Sequence, residues 1–209
     1  MFYLSATANI MAIFTNSYAA ISALMKVHGY LALFGLMLLE SSSIPVPSEV
    51  VLPLAGALSA SGTFNFAIAF LISIVASMIG LTIDYFIGFF IGKEVVYRHL
   101  QVFRIRKEQL DNFDRWFERN GVAAVFLSRL LPVLRTVMSF PAGFAKMPLK
   151  KFYAYSLAGV VIWDLVLMSF GYYLIKVNNA VVTMAALGVF GIVLYVVYAY
   201  AVRKLRKKG

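Results

Sequence analysis

The 209 residues are 62% hydrophobic and 13% charged, well beyond the ~45–50% apolar content of ordinary soluble domains, and a soluble fold could not hide that surface. The net charge of +10 falls beside apolar stretches, not on an exposed patch interleaved with aromatics, so anionic lipid headgroups fit it and nucleic acid does not. With no cysteine in the chain, disulfides and thiolate chemistry are excluded.

The length suits one domain, an all-α membrane bundle whose crossings each need about 20 apolar residues. Residues 1–25 carry no charge and lack the basic start and small-residue cleavage site of a signal peptide, so they are expected to remain. Within 1–27, Ile10, Met11, Phe14, Tyr18 and Ile21 mix with Asn9, Thr15, Asn16 and Ser17. That is weak for a span and suits an interfacial or membrane helix.

Residues 28–61 are apolar but interrupted by Glu40-Ser-Ser-Ser-Ile-Pro45-Val-Pro47-Ser-Glu49. Two prolines so close together must break a helix, and broken backbone at membrane depth is tolerated only inside protein or along a wet cavity. Glu40 and Glu49 there are candidates for exchanging protons; the plain alternative is that they cap helix ends at an exposed interface.

A span is expected over 64–92, containing Asp84, a third proton-coupling candidate. Gly88-x-x-x-Gly92 within it permits close helix packing. Residues 93–119 hold Lys93, Arg98, Arg104, Arg106, Lys107, Arg115 and Arg119, with Leu110, Phe113, Trp116 and Phe117 at helical spacing, which predicts an amphipathic surface helix.

The basic segment 93–119, the Lys146/Lys150/Lys151 cluster and the basic tail 203–209 all read as cytoplasmic. Residues 120–147 therefore begin and end on one side and must turn back within the membrane. Arg129 and Arg135 lie ten and eleven residues from the basic ends, about 15 Å at ~1.5 Å per residue, which places them near the centre of a ~30 Å core. Pro132 between them breaks the helix. Two guanidiniums around such a break form an anion clamp suited to phosphate, unless they serve only as structural partners of Glu40 and Glu49. Further spans are expected over 152–175, which carries Asp164, and over 180–202.

The chain also repeats weakly. Gly29-Tyr-Leu-Ala-Leu-Phe34 resembles Gly121-Val-Ala-Ala-Val-Phe126, Ala55-Gly56 recurs as Ala142-Gly143, and Gly80, Asp84 and Gly92 are echoed by Gly159, Asp164 and Gly171. The copies, 28–92 and 120–175, each combine a re-entrant helical hairpin (28–61; 120–147) with a transmembrane helix, and parity makes the second inverted relative to the first. The span 180–202 is extra.

At these residues the chain resembles the DedA family, also described as the SNARE-associated or VTT-domain family. The match runs from about Gly29 to Tyr173 and joins Glu40, Pro45, Pro47, Glu49 and Ala55-Gly56 to Gly80, Asp84-Tyr85, Gly88 and Gly92. It continues with Phe126-x-x-Arg129-x-x-Pro132-x-x-Arg135, Ala142-Gly143-x-x-x-Met147, and Phe152 to Gly159 and Trp163. Ser156 departs from the family, where many members carry Asn. The resemblance implies two opposed re-entrant hairpins and a role in moving lipids, such as polyprenyl phosphate or phospholipids, between leaflets. It also gives Glu40, Glu49, Arg129 and Arg135 the family's essential acidic and basic positions.

The expected function is thus a flippase- or scramblase-type translocase of phosphate-bearing lipids in the cell membrane, linked to protons, multi-pass, with a cytoplasmic C-terminus. No cofactor, metal or nucleic acid is expected, and a homo-oligomer is compatible with the reading. The alternative is a proton-coupled exporter of small cations or drugs using Glu40, Glu49 and Asp84. A lipid phosphatase would want a histidine nucleophile or a metal cluster near the arginines, and neither His28 nor His99 is placed for that.

Overall fold

A computed structural model of the chain describes residues 2–44, 46–98, 107–131 and 134–176, with side-chain surroundings given within 18–91 and 115–176 of these ranges. Pro45, Pro132, His99, the span expected at 180–202 and the tail 203–209 lie outside the described residues. The elements among the described residues are all helices, without a strand: α1 (Phe2–Ser41), α2 (Ser48–Ala60), α3 (Phe66–Arg98), α4 (Lys107–Ser128), α5 (Leu134–Val137), α6 (Ser139–Phe144) and α7 (Leu149–Lys176). Tyr18–Ser41, Phe66–Ile91 and Leu149–Lys176 are each long and apolar enough to cross a membrane.

Local chemistry sets the breaks. In α1, Gly29 has non-helical backbone (φ 56, ψ −129), a geometry open to glycine and to few other residues. The arm beyond it, 30–41, is about 18 Å long and α2 about 20 Å, at ~1.5 Å per residue, so neither crosses a ~30 Å core alone. Pro47 sits in extended backbone immediately before α2, as its fixed φ favours. Asn65 starts α3 by accepting the Ile68 N–H at 3.2 Å, and its own N–H donates to the Tyr30 hydroxyl at 2.7 Å. Of the expected amphipathic stretch 93–119, residues 93–98 continue α3, and 107–119 run on into the first arm of the second expected hairpin as one helix, α4. The turn between α6 and α7 is tied to α3 by the Tyr85 hydroxyl, which donates to the Met147 carbonyl at 2.5 Å.

The helices are held together by backbone-to-backbone contact at glycines, in a reciprocal pattern. A Cβ on Gly56 of α2 would stand 1.9 Å from the Met168 carbonyl oxygen of α7, and one on Gly171 of α7 would stand 1.9 Å from that of Pro53 in α2. A Cβ on Gly143 of α6 would meet the Tyr85 oxygen of α3 at 1.9 Å, and one on Gly88 of α3 the Phe140 oxygen of α6 at 2.2 Å. In all four cases the glycine meets the carbonyl three residues before the facing glycine. Gly56 and Gly143, which correspond in the sequence repeat, thus face Gly171 and Gly88, and the surroundings of Gly92 lie outside the described side chains. Gly80 and Gly159 do a second job. A Cβ on Gly80 would stand 2.6 Å from the Leu38 oxygen and 2.7 Å from Ser41 Cβ, and one on Gly159 would stand 2.5 Å from Arg129 Cβ. Each glycine seats the end of a charged arm.

Two apolar cores result. One gathers Met25, Leu33, Met37, Val51, Leu52, Ala69, Ala76, Leu167 and Met168 around Trp163. The other gathers Leu81, Tyr85, Phe117, Val125, Ala142, Phe152 and Val160. α3 enters the first core with its N-terminal half and the second with its C-terminal half; α7 does the reverse, so the two run antiparallel. The change of core falls between Ala76 and Leu81 on α3 and between Val160 and Trp163 on α7, near the middle of both spans.

Gly143→Ala forces α6 off α3 and should cost about 1–3 kcal/mol, as overpacking does. Gly35→Ala, where nothing lies within 4 Å of the added Cβ, should leave the melting temperature in detergent unchanged. Equal melting temperatures for the two variants would contradict the glycine contact.

Candidate functional site

The charged side chains converge at the waist between the two cores. Glu40 stands one residue before the end of α1. Arg129 opens the turn after α4, where the N–H groups of Arg129, Leu130 and Leu131 bond to the carbonyls three residues earlier at 3.2, 3.1 and 3.0 Å. Arg135 lies in the single turn of α5. Glu40, Arg129 and Arg135 are all buried.

Arg135 Nη2 donates to Glu40 Oε2 at 2.7 Å, and the Ser41 hydroxyl adds a bond to the same oxygen at 3.1 Å. This buried pair joins the two interrupted segments directly. Arg129, 2% exposed, hydrogen-bonds to neutral groups among the described residues. Its Nη1 donates to the Arg135 carbonyl, and its Nη2 to the hydroxyls of Ser139 at 2.9 Å and Ser156 at 3.1 Å. The guanidiniums also lie against rings, Arg129 5.7 Å from the Phe152 centroid and Arg135 5.3 Å from that of Trp163, a favourable contact for a delocalised cation. Arg129 Nε and Arg135 Nη1 are buried without a hydrogen-bond partner.

Asp84 is buried and accepts from the Ser43 hydroxyl, which also faces the Thr136 carbonyl at 3.3 Å. Ser43, in left-handed backbone (φ 59), therefore links the first break, α3 and the end of α5. Glu49 does not join this group. It is exposed in the first turn of α2, 3.5 Å from the Ser48 hydroxyl, where a carboxylate suits the positive end of the helix dipole. His28 is exposed on α1. Among the described residues, no three His, Cys, Asp or Glu side chains are grouped to hold a metal ion.

Sequence reasoning missed the hydroxyls. Ser41, Ser43, Ser139 and Ser156 all contact the charged groups. The available signal was a serine within an apolar helix one turn from a glycine, as Ser156 is from Gly159. The cavity among Glu40, Ser41, Leu81, Arg129, Arg135, Thr136, Val160 and Trp163 is about 10 Å³, room for roughly one water molecule. As it stands, the cluster is closed.

Residues 46–173 match the VTT domain. The chain is 36% identical to a Staphylococcus aureus protein named undecaprenyl phosphate transporter A, covering 83% of this chain and 87% of that one. It is 31% identical to a Lactococcus lactis protein named alkaline phosphatase-like protein, over 70% and 71% of the two chains. It is 27% identical to protein DedA of Escherichia coli, over 69% and 68%. No solved structure matches it. With an all-helical membrane fold and a domain match over more than half its length, the chain belongs to the VTT-domain, or DedA, family of membrane proteins.

Proposed function

We propose that this protein moves lipids with a phosphate headgroup, polyprenyl phosphate or phospholipid, between leaflets, with Arg129 and Arg135 taking the phosphate while the lipid chains stay in the bilayer. The observation that carries this reading is Arg129: a guanidinium inside the bundle whose hydrogen-bond partners are a carbonyl and two hydroxyls. A guanidinium keeps its charge at neutral pH and matches phosphate with paired donors. A buried cation without an anion in contact is costly to hold, and a visiting phosphate would supply that anion. The relative named for undecaprenyl phosphate transport supports the same chemistry, and the two guanidiniums disfavour a cation exporter.

The closed cavity gives the cycle its constraint. A phosphate reaches the guanidiniums only if α5 and its flanking turns move away from Ser43 and Glu40. The headgroup then competes with Glu40 for Arg135, and a proton taken up by Glu40 on release would link lipid movement to the proton gradient. Asp84, tied through Ser43 to the same turn, and exposed Glu49 are the other acids in that linkage. The reciprocal glycine contacts support an inverted pair of hairpins opening to opposite sides, and the excess of Lys and Arg beside the apolar segments favours a cytoplasmic C-terminal tail.

In proteoliposomes carrying fluorescent polyprenyl phosphate, exposure of the label to an impermeant quencher reports flux. Arg129→Ala and Arg135→Ala should each lower the rate at least about tenfold, the scale expected when one partner of a buried charged contact is removed. Wild-type rates in both would end the clamp reading. Glu40→Gln should leave flux unresponsive to an imposed pH gradient; an intact response would remove Glu40 from the linkage. The purified protein should release no inorganic phosphate from the same lipid, and release would favour an enzyme.

A further inference from the structure

Asp164, at the centre of α7, is fully buried, yet neither carboxyl oxygen has a hydrogen-bond partner. The nearby Ser73 hydroxyl is turned to the Phe70 carbonyl at 2.8 Å. Buried polar groups are nearly always satisfied, and an unpartnered carboxyl is among the most costly side chains to bury. Such a group calls for an explanation, and use in another state of the protein is one.

The unmatched donor is close by. Arg135 has Nη2 on Glu40 and Nη1 buried without a partner, and its guanidinium stands over the ring of Trp163, the residue preceding Asp164. Asp164 lies within electrostatic reach of both Arg135 and Glu40. We propose that Asp164 is the alternate carboxylate for Arg135: the guanidinium rests on Glu40 while the cavity is closed and passes to Asp164 when the headgroup enters. Asp164 is then a positioning residue, holding Arg135 through one edge while the other faces the phosphate. Glu40 belongs to α1 and Asp164 to α7, so the exchange moves the tether of α5 from one half of the chain to the other. This inference rests on the headgroup reading above.

Trp163 provides the readout, because Trp116 is the only other tryptophan. In a Trp116→Phe background, dioctanoyl phosphatidic acid added to the full chain in detergent should shift Trp163 emission as the guanidinium leaves its ring, and dioctanoylglycerol should not. Asp164→Asn should raise the phosphatidic acid concentration needed at least about tenfold, the minimum expected for losing a buried charged partner, without lowering the melting temperature. Asp164→Glu, which keeps the carboxylate, should retain the response. A carboxyl that merely fills space would give the reverse order, with Asn tolerated and Glu disruptive. That result, or an unchanged response in Asp164→Asn, overturns the exchange while leaving the headgroup reading intact. No phosphatidic acid response in the parent chain overturns both.

Discussion

Two arginines buried inside an apolar bundle set the terms for the rest of this structure. Removing a guanidinium from water carries a penalty of several kcal/mol that only close, well-directed partners offset. Here those partners come from widely separated parts of the chain: Glu40 from α1, Ser139 from α6 and Ser156 from α7. Satisfying the two side chains therefore fixes where three helices meet. Gly159 is part of the same solution, because a Cβ there would strike the Arg129 side chain.

The glycine contacts and the charged waist serve different ends. At Gly56, Gly171, Gly143 and Gly88 the helices meet backbone to backbone, leaving little room for small adjustments. At the waist, by contrast, Arg129, Arg135, Trp163 and Asp164 retain unpartnered polar atoms. Close packing resists deformation, so the glycine-packed pairs α2/α7 and α3/α6 are the rigid parts of the structure, and the waist is where polar atoms are left unmet.

The class of protein and the identity of the charged segments were legible because a membrane makes charge and proline conspicuous. Glu40, Arg129 and Arg135 stood out in apolar surroundings, and burial follows from that placement. Glu49 looked equivalent to Glu40 by sequence, yet one ends a helix facing inward and the other begins a helix facing outward. The six residues 42–47 between α1 and α2 separate them, and no periodicity carries the phase across such a break. Which glycine meets which helix was hidden for a related reason: Gly80 and Gly88 both lie in one apolar helix, and only the facing helices show that Gly80 meets α1 and Gly88 meets α6. The serines were hidden because a hydroxyl in a membrane helix can bond back to its own backbone, as Ser73 and Ser59 do, so its presence alone predicts no distant partner.

The pairing of α2 with α7 also bears on how the chain is built. α2 is too short to cross the membrane alone, and its glycine partner Gly171 is synthesised 115 residues after Gly56. α3, by contrast, can insert as soon as it emerges, and α6 finds it already in place. Contacts so distant in sequence form late and after a long search. The first half of the molecule must therefore wait in the bilayer, its Glu40 without Arg135, until the second half arrives. The charged centre of this protein cannot close before its second half is made.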